Sequence, residues 1–207
     1  MPQQSPRVIG LTGGIASGKT TVSARLQELG AYILDADRVG HQVIAPSGPA
    51  YPRVIEAFGR DIVAADGTID RKKLGAKVFA DPANLKRLNA ISHPLMAARM
   101  AEEIASVRNQ ADGKRPPLIV LDAAILLEAG WDRLCDAVWT VEVSPDIALA
   151  RLIARNGLSE QQARARLDAQ MTNGQRAERA QRIIRNSGTI QDLNAAVTRL
   201  WLETVGG

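Results

Sequence analysis

Val8-Ile9-Gly10-Leu11-Thr12-Gly13-Gly14-Ile15-Ala16-Ser17-Gly18-Lys19-Thr20 is an apolar run that breaks into glycines and ends on a lysine–threonine pair. Its last eight residues fit G-x-x-x-x-G-K-[ST]. Glycines let the backbone wrap closely, so that successive N–H groups point inward at phosphate oxygens. Lys19 can reach a β- or γ-phosphate, and the Thr20 hydroxyl can ligate Mg²⁺. A helix opening at Gly18 adds its positive dipole end to the same place. A strand before the loop and a helix after it are the setting that the motif requires.

Working outward, four more apolar runs of strand length follow: Ala31–Leu34, Leu118–Leu121, Ala137–Val143 and the short Arg182–Arg185. Most are continuous rather than alternating, which suits parallel strands buried on both faces. Helical patterns with readable ends lie between them. The first runs from about Gly18 to Leu29, with Gly30 at C′. Ser144 caps a helix with Pro145 at its first position, and Gly157 closes it. Ser159 to Gln162 fits a capping box, and Thr189 caps a last helix carrying Leu193, Val197, Leu200 and Trp201. Strands alternating with helices give an α/β fold with a five-stranded parallel sheet flanked by helices.

From about Ala45 to Asn109 no strand is evident, but helix starts are. Pro49 opens one helix that Gly59 ends, Asp70 and Asp81-Pro82 cap two more, and Pro94 interrupts or restarts the helix around His93. Residues 45–109 are therefore expected to form a helical insertion over the top of the sheet, where substrates usually sit. Residues 7–44 and 110–207 make the core, with a helical segment at about 145–175.

Composition excludes some classes. In 207 residues, apolar types make 45% and charged types 23%, near the averages for globular proteins. Cys135 stands alone, so no internal disulfide or multi-cysteine metal site exists. Met1 to Arg7 has no apolar stretch of a secretory signal, and Leu118 to Trp131 is too short and too interrupted to span a bilayer. A cytoplasmic protein without a membrane partner is expected. The formal charge of +4 is concentrated: Arg151 to Arg185 holds eight arginines, no lysine and three acids, and the other 172 residues sum to −1. Arginine's planar fork suits phosphate oxygens, but a solvated basic face reads the same way in composition.

A phosphate loop alone fits a kinase, an ATPase motor or a GTPase switch. Asp37 and Gly40 form the Asp-x-x-Gly of a switch, yet no Asn-Lys-x-Asp guanine-reading sequence occurs. Asp35-Ala36-Asp37 places two carboxylates at the end of the second strand. One could accept a hydroxyl proton in phosphoryl transfer, and the other could hold metal-bound water. A solvated helix cap is the plainer alternative. Asp122, after the apolar run Leu118–Leu121, fits an acid that holds Mg²⁺. Arg151 and Arg155, spaced i, i+4, could be brought by a helical pair to a transferring phosphoryl group. A nucleic-acid binder using the arginines is disfavoured by only 3% aromatic residues, which leaves few stacking platforms.

Taken in order, the residues resemble the dephospho-CoA kinase family. Gly10 to Thr21 and Asp35-Ala36-Asp37 carry the resemblance first. Asp66 to Arg71 with Leu74 and Phe79, His93-Pro94, and Asp122 with Leu126-Leu127-Glu128 follow. Val143 to Asp146 with Leu149, Arg151, Arg155 to Ser159, Gln170, and Asn186 with Gly188-Thr189 complete it, over about residues 7 to 200. The resemblance implies a P-loop kinase core with a helical CoA-binding subdomain and a helical lid. It also implies transfer of the ATP γ-phosphate to the ribose 3′-hydroxyl of dephospho-CoA, the last step of coenzyme A synthesis. Gly13, Gly14, Ala16, Ser17, Gly18, Lys19, Thr20 and Thr21 would then bind the ATP phosphates, and Asn186 would lie near the adenine. Asp37 would be the base, with Asp35 beside it at the substrate, and Lys19, Arg151 and Arg155 would stabilise charge. Thr20 and Asp122 would hold Mg²⁺. His93 would be structural or would contact substrate. A monomer that binds no nucleic acid is expected. Two departures from the family are visible: Ala16 for a glycine, which a negative φ would accommodate, and Ala124 for a proline.

Overall fold

Burial follows the apolar runs. The strands are β1 (Arg7–Gly13), β2 (Tyr32–Asp35), β3 (Leu118–Asp122), β4 (Ala137–Glu142) and β5 (Arg182–Arg185). In the structure, a computed structural model describing residues 6–111 and 116–206, they form one sheet in the order β2-β3-β1-β4-β5. Met1 to Ser5, part of the segment read for a secretory signal, lies outside the described residues. Strand β1 pairs in parallel with β3 (Leu11 opposite Asp122) and with β4 (Gly13 opposite Val141), and β4 pairs in parallel with β5. Val8 to Gly13 are all buried, as continuous apolar strands at the middle of a sheet must be. On the edge strand β5, three of the four residues are exposed.

The order of the strands decides where the site falls. The chain leaves β1 for β2 and β3 on one side and then crosses to β4 on the other. The end of β1 is thus the switch point, where the crevice of an open α/β sheet opens. The turn after β1 leads into helix α1 (Lys19–Glu28), and helix α9 (Ile190–Val205) returns after β5. Ile9, Leu11, Val22, Leu26, Val120, Trp139, Val141, Val197 and Trp201 share one core between sheet and helices. Arg25 on α1 donates to the Thr198 hydroxyl of α9 from Nε at 3.2 Å and from Nη2 at 3.1 Å. Between β4 and β5 run α6 (Pro145–Asn156), α7 (Glu160–Asp168) and the short α8 (Asn173–Ala177). Their caps are those the sequence indicates: Ser144 accepts from the Ile147 N–H, Gly157 ends α6 at φ 61°, and Ser159 with Gln162 closes a capping box.

The chain divides into two compact units, one of residues up to Leu34 with Ile104 onward, the other Asp35–Glu103. The second holds α2 (Ala36–Val43), α3 (Tyr51–Phe58), α4 (Arg71–Ala80) and most of α5 (Pro82–Arg108). Helix α2, expected in the core's 7–44 stretch, is counted with this helical unit. Three local readings change here. Pro52, not Pro49, occupies the first turn of α3. Val63 and Ile69 form one antiparallel bridge around the Asp66–Thr68 turn, where no strand pairing was expected. Helix α5 runs through Pro94 without a break. The proline removes one backbone donor, but Ala90, whose carbonyl loses it, is solvent-exposed, so water can replace the bond. Burial of Ile91, Met96, Ala97 and Met100 on either side holds the helix together.

Candidate active site

The phosphate loop is shaped by two glycines that cannot be replaced without movement. A Cβ on Gly13 would lie 2.7 Å from Ser17 Oγ and 2.8 Å from the Val141 carbonyl oxygen of β4. Gly18 has φ 94°, and a Cβ there would run into the Asn186 side-chain amide. Ala16 also lies in the left-handed region, at φ 59°. The negative φ that would accommodate an alanine here is not the one adopted: Ala16 holds a conformation that glycine takes freely, with its methyl group under strain.

Within the loop the Ser17 N–H bonds to the Gly14 carbonyl at 3.1 Å, while those of Ala16, Gly18, Lys19 and Thr20 have no partner among the described residues. These donors, with the N-terminal dipole of α1, form a cradle for an anion. Lys19 Nζ donates to Asp122 Oδ1 at the end of β3, and both side chains are largely buried. β3 is tied to β1 beside this pair, by Ala123 N–H to the Leu11 carbonyl at 3.0 Å and by the Thr12 hydroxyl to the Ala124 carbonyl at 3.2 Å. Thr20 is exposed in the first turn of α1.

Residues far along the chain bond to the loop. Gln170 Oε1 accepts from the Ile15 N–H at 2.8 Å, Asn186 Nδ2 donates to the Ser17 carbonyl at 2.8 Å, and Arg151 Nη1 donates to the Ala16 carbonyl at 3.3 Å. Ile15 packs against the small core of Leu149, Leu152 and Ala163 that joins α6 to α7. Of the two arginines expected to act together, Arg151 meets the loop. Arg155 is exposed, and its Nε donates to the neighbouring Asn156 Oδ1 at 3.0 Å. Asn186 reaches the loop as well, with its amide engaged on Ser17. Sequence reasoning gave Gln170 no role and did not single out Arg176, which is buried beside Gly14. Gln170 appeared only in the family resemblance, and the signal for Arg176 was the local arginine excess, which does not say which arginine is buried.

In the second unit, Asp35 and Asp37 part company. Asp35 Oδ1 caps α2 by accepting from the N–H groups of Asp37 at 2.8 Å and Arg38 at 3.3 Å. Asp37 lies exposed in the first turn, and its carboxylate has no hydrogen-bond partner among the described residues. His93 is half-buried on α5, and burial pulls its pKa below the usual imidazole range, so it is neutral at pH 7. A neutral ring can position a substrate or pack, but it adds no charge for a phosphate.

A sequence model of the dephospho-CoA kinase family matches residues 7–192. The chain belongs to the dephospho-CoA kinase family. It is similar to the dephospho-CoA kinase of Symbiobacterium thermophilum, 44% identical over 97% of this chain and 82% of that one. Among solved structures, one from Thermus thermophilus is 32% identical, with a TM-score of 0.78 over 97% of this chain and 98% of that one. The dephospho-CoA kinase of Campylobacter jejuni, at 23% identity, has a TM-score of 0.67 over 99% of this chain and all of that one, and it supports the fold. As a member of a kinase family the chain is a phosphotransferase. Among the described residues no helix is long and apolar enough to cross a membrane.

Proposed function

We propose that this chain transfers the γ-phosphate of ATP to the ribose 3′-hydroxyl of dephospho-CoA, releasing ADP and coenzyme A in the cytoplasm as a monomer. What carries the reading is the set of loop amides without a protein partner among the described residues, beside Lys19, in a chain matched to the family over nearly its whole length. Phosphoryl transfer asks little covalent chemistry of the protein. It requires in-line positioning and stabilisation of charge spreading over the transferred group.

The loop amides and Lys19 bind and orient the β- and γ-phosphates, and Gly13, Gly14, Thr21 and the Asn186 brace fix the shape into which they fit. Arg151, which donates to the Ala16 carbonyl, would turn its remaining donors to the phosphoryl oxygens. Arg155 joins it only if the helical segment 145–175 closes over bound nucleotide, which would also exclude water and suppress hydrolysis. Asp37, whose carboxylate is uncommitted, accepts the proton of the acceptor hydroxyl, while Asp35 holds the helix that presents it. His93 positions the acceptor substrate or the helix around it.

Mg²⁺ fits the donor set: a hydroxyl and a carboxylate at the mouth of a phosphate loop are the hard oxygen ligands it takes when substrate phosphates supply the rest. Among the described residues there is no all-protein cluster of three acids, histidines or cysteines for it. Thr20 and Asp122 would hold the ion, which when bound neutralises charge on the β- and γ-oxygens. In the structure Asp122 is paired with Lys19, so loading requires the lysine to exchange the carboxylate for phosphate.

The test is ADP release with ATP and Mg²⁺, with dephospho-CoA, AMP or adenosine as acceptor. Release that requires dephospho-CoA, with equimolar coenzyme A, is expected. Release with AMP or adenosine alone would reassign the acceptor, and acceptor-independent slow hydrolysis would indicate a nucleotide switch.

A further inference from the structure

Arg176 is 2% exposed, a rare state for a residue that is always charged. Its Nε and Nη2 are buried without a hydrogen-bond partner. The nearest carboxylate oxygen, Glu128 Oε1, is 4.0 Å from Nη2, too far for a hydrogen bond. Glu142 attracts it electrostatically, yet Glu142 Oε1 is itself buried and unpartnered. Arg179, three residues on, shows what an arginine here makes when its role is structural. Its Nη2 donates to Asp132 Oδ2 at 2.7 Å and its Nη1 to the Leu127 carbonyl at 3.2 Å. The Nη1 corner of Arg176 instead faces the phosphate loop, 3.3 Å from where a Cβ on Gly14 would project. On the same segment, Gln170 Oε1 accepts from the adjacent Ile15 N–H at 2.8 Å.

A buried cation that closes no good ion pair lowers stability, and replacing such a group by a well-packed apolar one is often neutral or stabilising. Charge retained at that disadvantage is explained by what lies beside it, a loop built to receive a polyphosphate. We propose that Arg176 is a positioning residue for nucleotide, supplying fixed positive charge behind Gly14 that holds the polyphosphate in the loop. The inference rests on the phosphate-loop reading of Gly13 to Thr20. The guanidinium is held out of water beside the loop, so its field adds to phosphate affinity and leaves recognition of the nucleoside alone.

The experiment compares wild type with Arg176→Met, Arg176→Lys and Lys19→Ala, using inorganic tripolyphosphate and adenosine as probes in calorimetric titration, beside the melting temperature without ligand. For Arg176→Met the expected melting temperature equals or exceeds that of wild type. Its tripolyphosphate binding is expected to be weaker by roughly tenfold or more, with adenosine binding unchanged. Arg176→Lys, which restores the charge, recovers most of the tripolyphosphate affinity. A destabilised or unfolded Arg176→Met protein, or one that binds tripolyphosphate like wild type, refutes the proposal, as does equal loss in Arg176→Lys and Arg176→Met. Lys19→Ala separates the two readings. If it retains wild-type tripolyphosphate affinity, the loop reading itself fails, whereas loss in Lys19→Ala with none in Arg176→Met removes only the role of Arg176.

Discussion

Ala16 is the residue at which sequence and conformation disagree most sharply, and Ala16→Gly measures the disagreement. At φ 59° the methyl group crowds the following carbonyl, a conformation that costs an L-residue about 1–2 kcal/mol. Glycine removes that strain but gains freedom in the unfolded chain, which returns about 0.4–1 kcal/mol. The net expectation is that Ala16→Gly stabilises the protein by about 0.5–1 kcal/mol, roughly 1–4 °C in melting temperature for a chain of this size. The contacts around the residue do not change this difference, because the bond from Arg151 falls on the Ala16 carbonyl, which glycine keeps. Urea unfolding followed through the buried tryptophans Trp131, Trp139 and Trp201 gives the value directly. Ala16→Val supplies the opposite arm, because a β-branched side chain tolerates the left-handed region still less, and a loss of stability is expected. An Ala16→Gly protein no more stable than wild type, or an Ala16→Val protein as stable, would show that the loop does not hold this residue left-handed in solution.

Other consequences follow from the same geometry. Asp37→Asn is expected to lower turnover by roughly 10²–10⁴ with the melting temperature little changed, whereas Asp35→Ala loses a helix cap of about 1 kcal/mol as well as activity. Steady-state rates beside thermal melts distinguish the two, and equal behaviour would overturn the division of roles. Asp122→Asn frees Lys19 and removes a carboxylate from the cradle, so ADP binding measured without Mg²⁺ is expected to tighten several-fold while Mg²⁺-dependent turnover falls. Burial, with Asp132 and Asp136 nearby, pushes the Cys135 thiol from 9.0 up to about 12, which leaves a thiolate population about a thousandfold below that of a free thiol at neutral pH. Labelling by a disulfide reagent is accordingly expected to be slow until the protein is unfolded, and fast labelling of native protein would contradict the burial. His93 has a lowered folded-state pKa, so the unfolded chain takes up its proton first as the solution is acidified. Its contribution is present above pH about 6.5 and is lost as pH falls through the lowered value. His93→Gln is expected to flatten that acid limb in denaturation curves taken from pH 8 to 5.

The parts of the molecule legible in the sequence are those decided by short-range chemistry. Ser144, Ser159, Asp70 and Thr189 each accept from an N–H two or three residues ahead, so the cap can be recognised without knowing what the helix packs on. The loop glycines were legible for the same reason, since the motif is continuous in the chain. At Pro94 the local rule that proline stops a helix is outweighed by burial of apolar residues on either side and by an exposed carbonyl that water can satisfy. The sign of φ at Ala16 is likewise set by closure of the loop on its neighbours rather than by alanine's own preference.

The braces behind the loop lie at the other extreme. Gln170 and Ile15 are 155 positions apart, and Asn186 and Ser17 are 169 apart, so no window of sequence relates them. What relates them is the topology. β5 leads into Asn186 and β4 into α6, so every segment leaving the sheet on that side of β1 passes the switch point where the loop sits. Arg151, Gln170, Arg176 and Asn186 therefore reach one loop from four places in the chain. Of the eight arginines of residues 151–185, Arg151 and Arg176 meet that loop and the other six are exposed, so the geometry sorts what composition lumps together. Arg179 is committed to Asp132, Arg155 is left exposed, and Arg176 is buried with two nitrogens unpaired. Composition sees eight equal charges, and only the fold distinguishes the one held behind the loop.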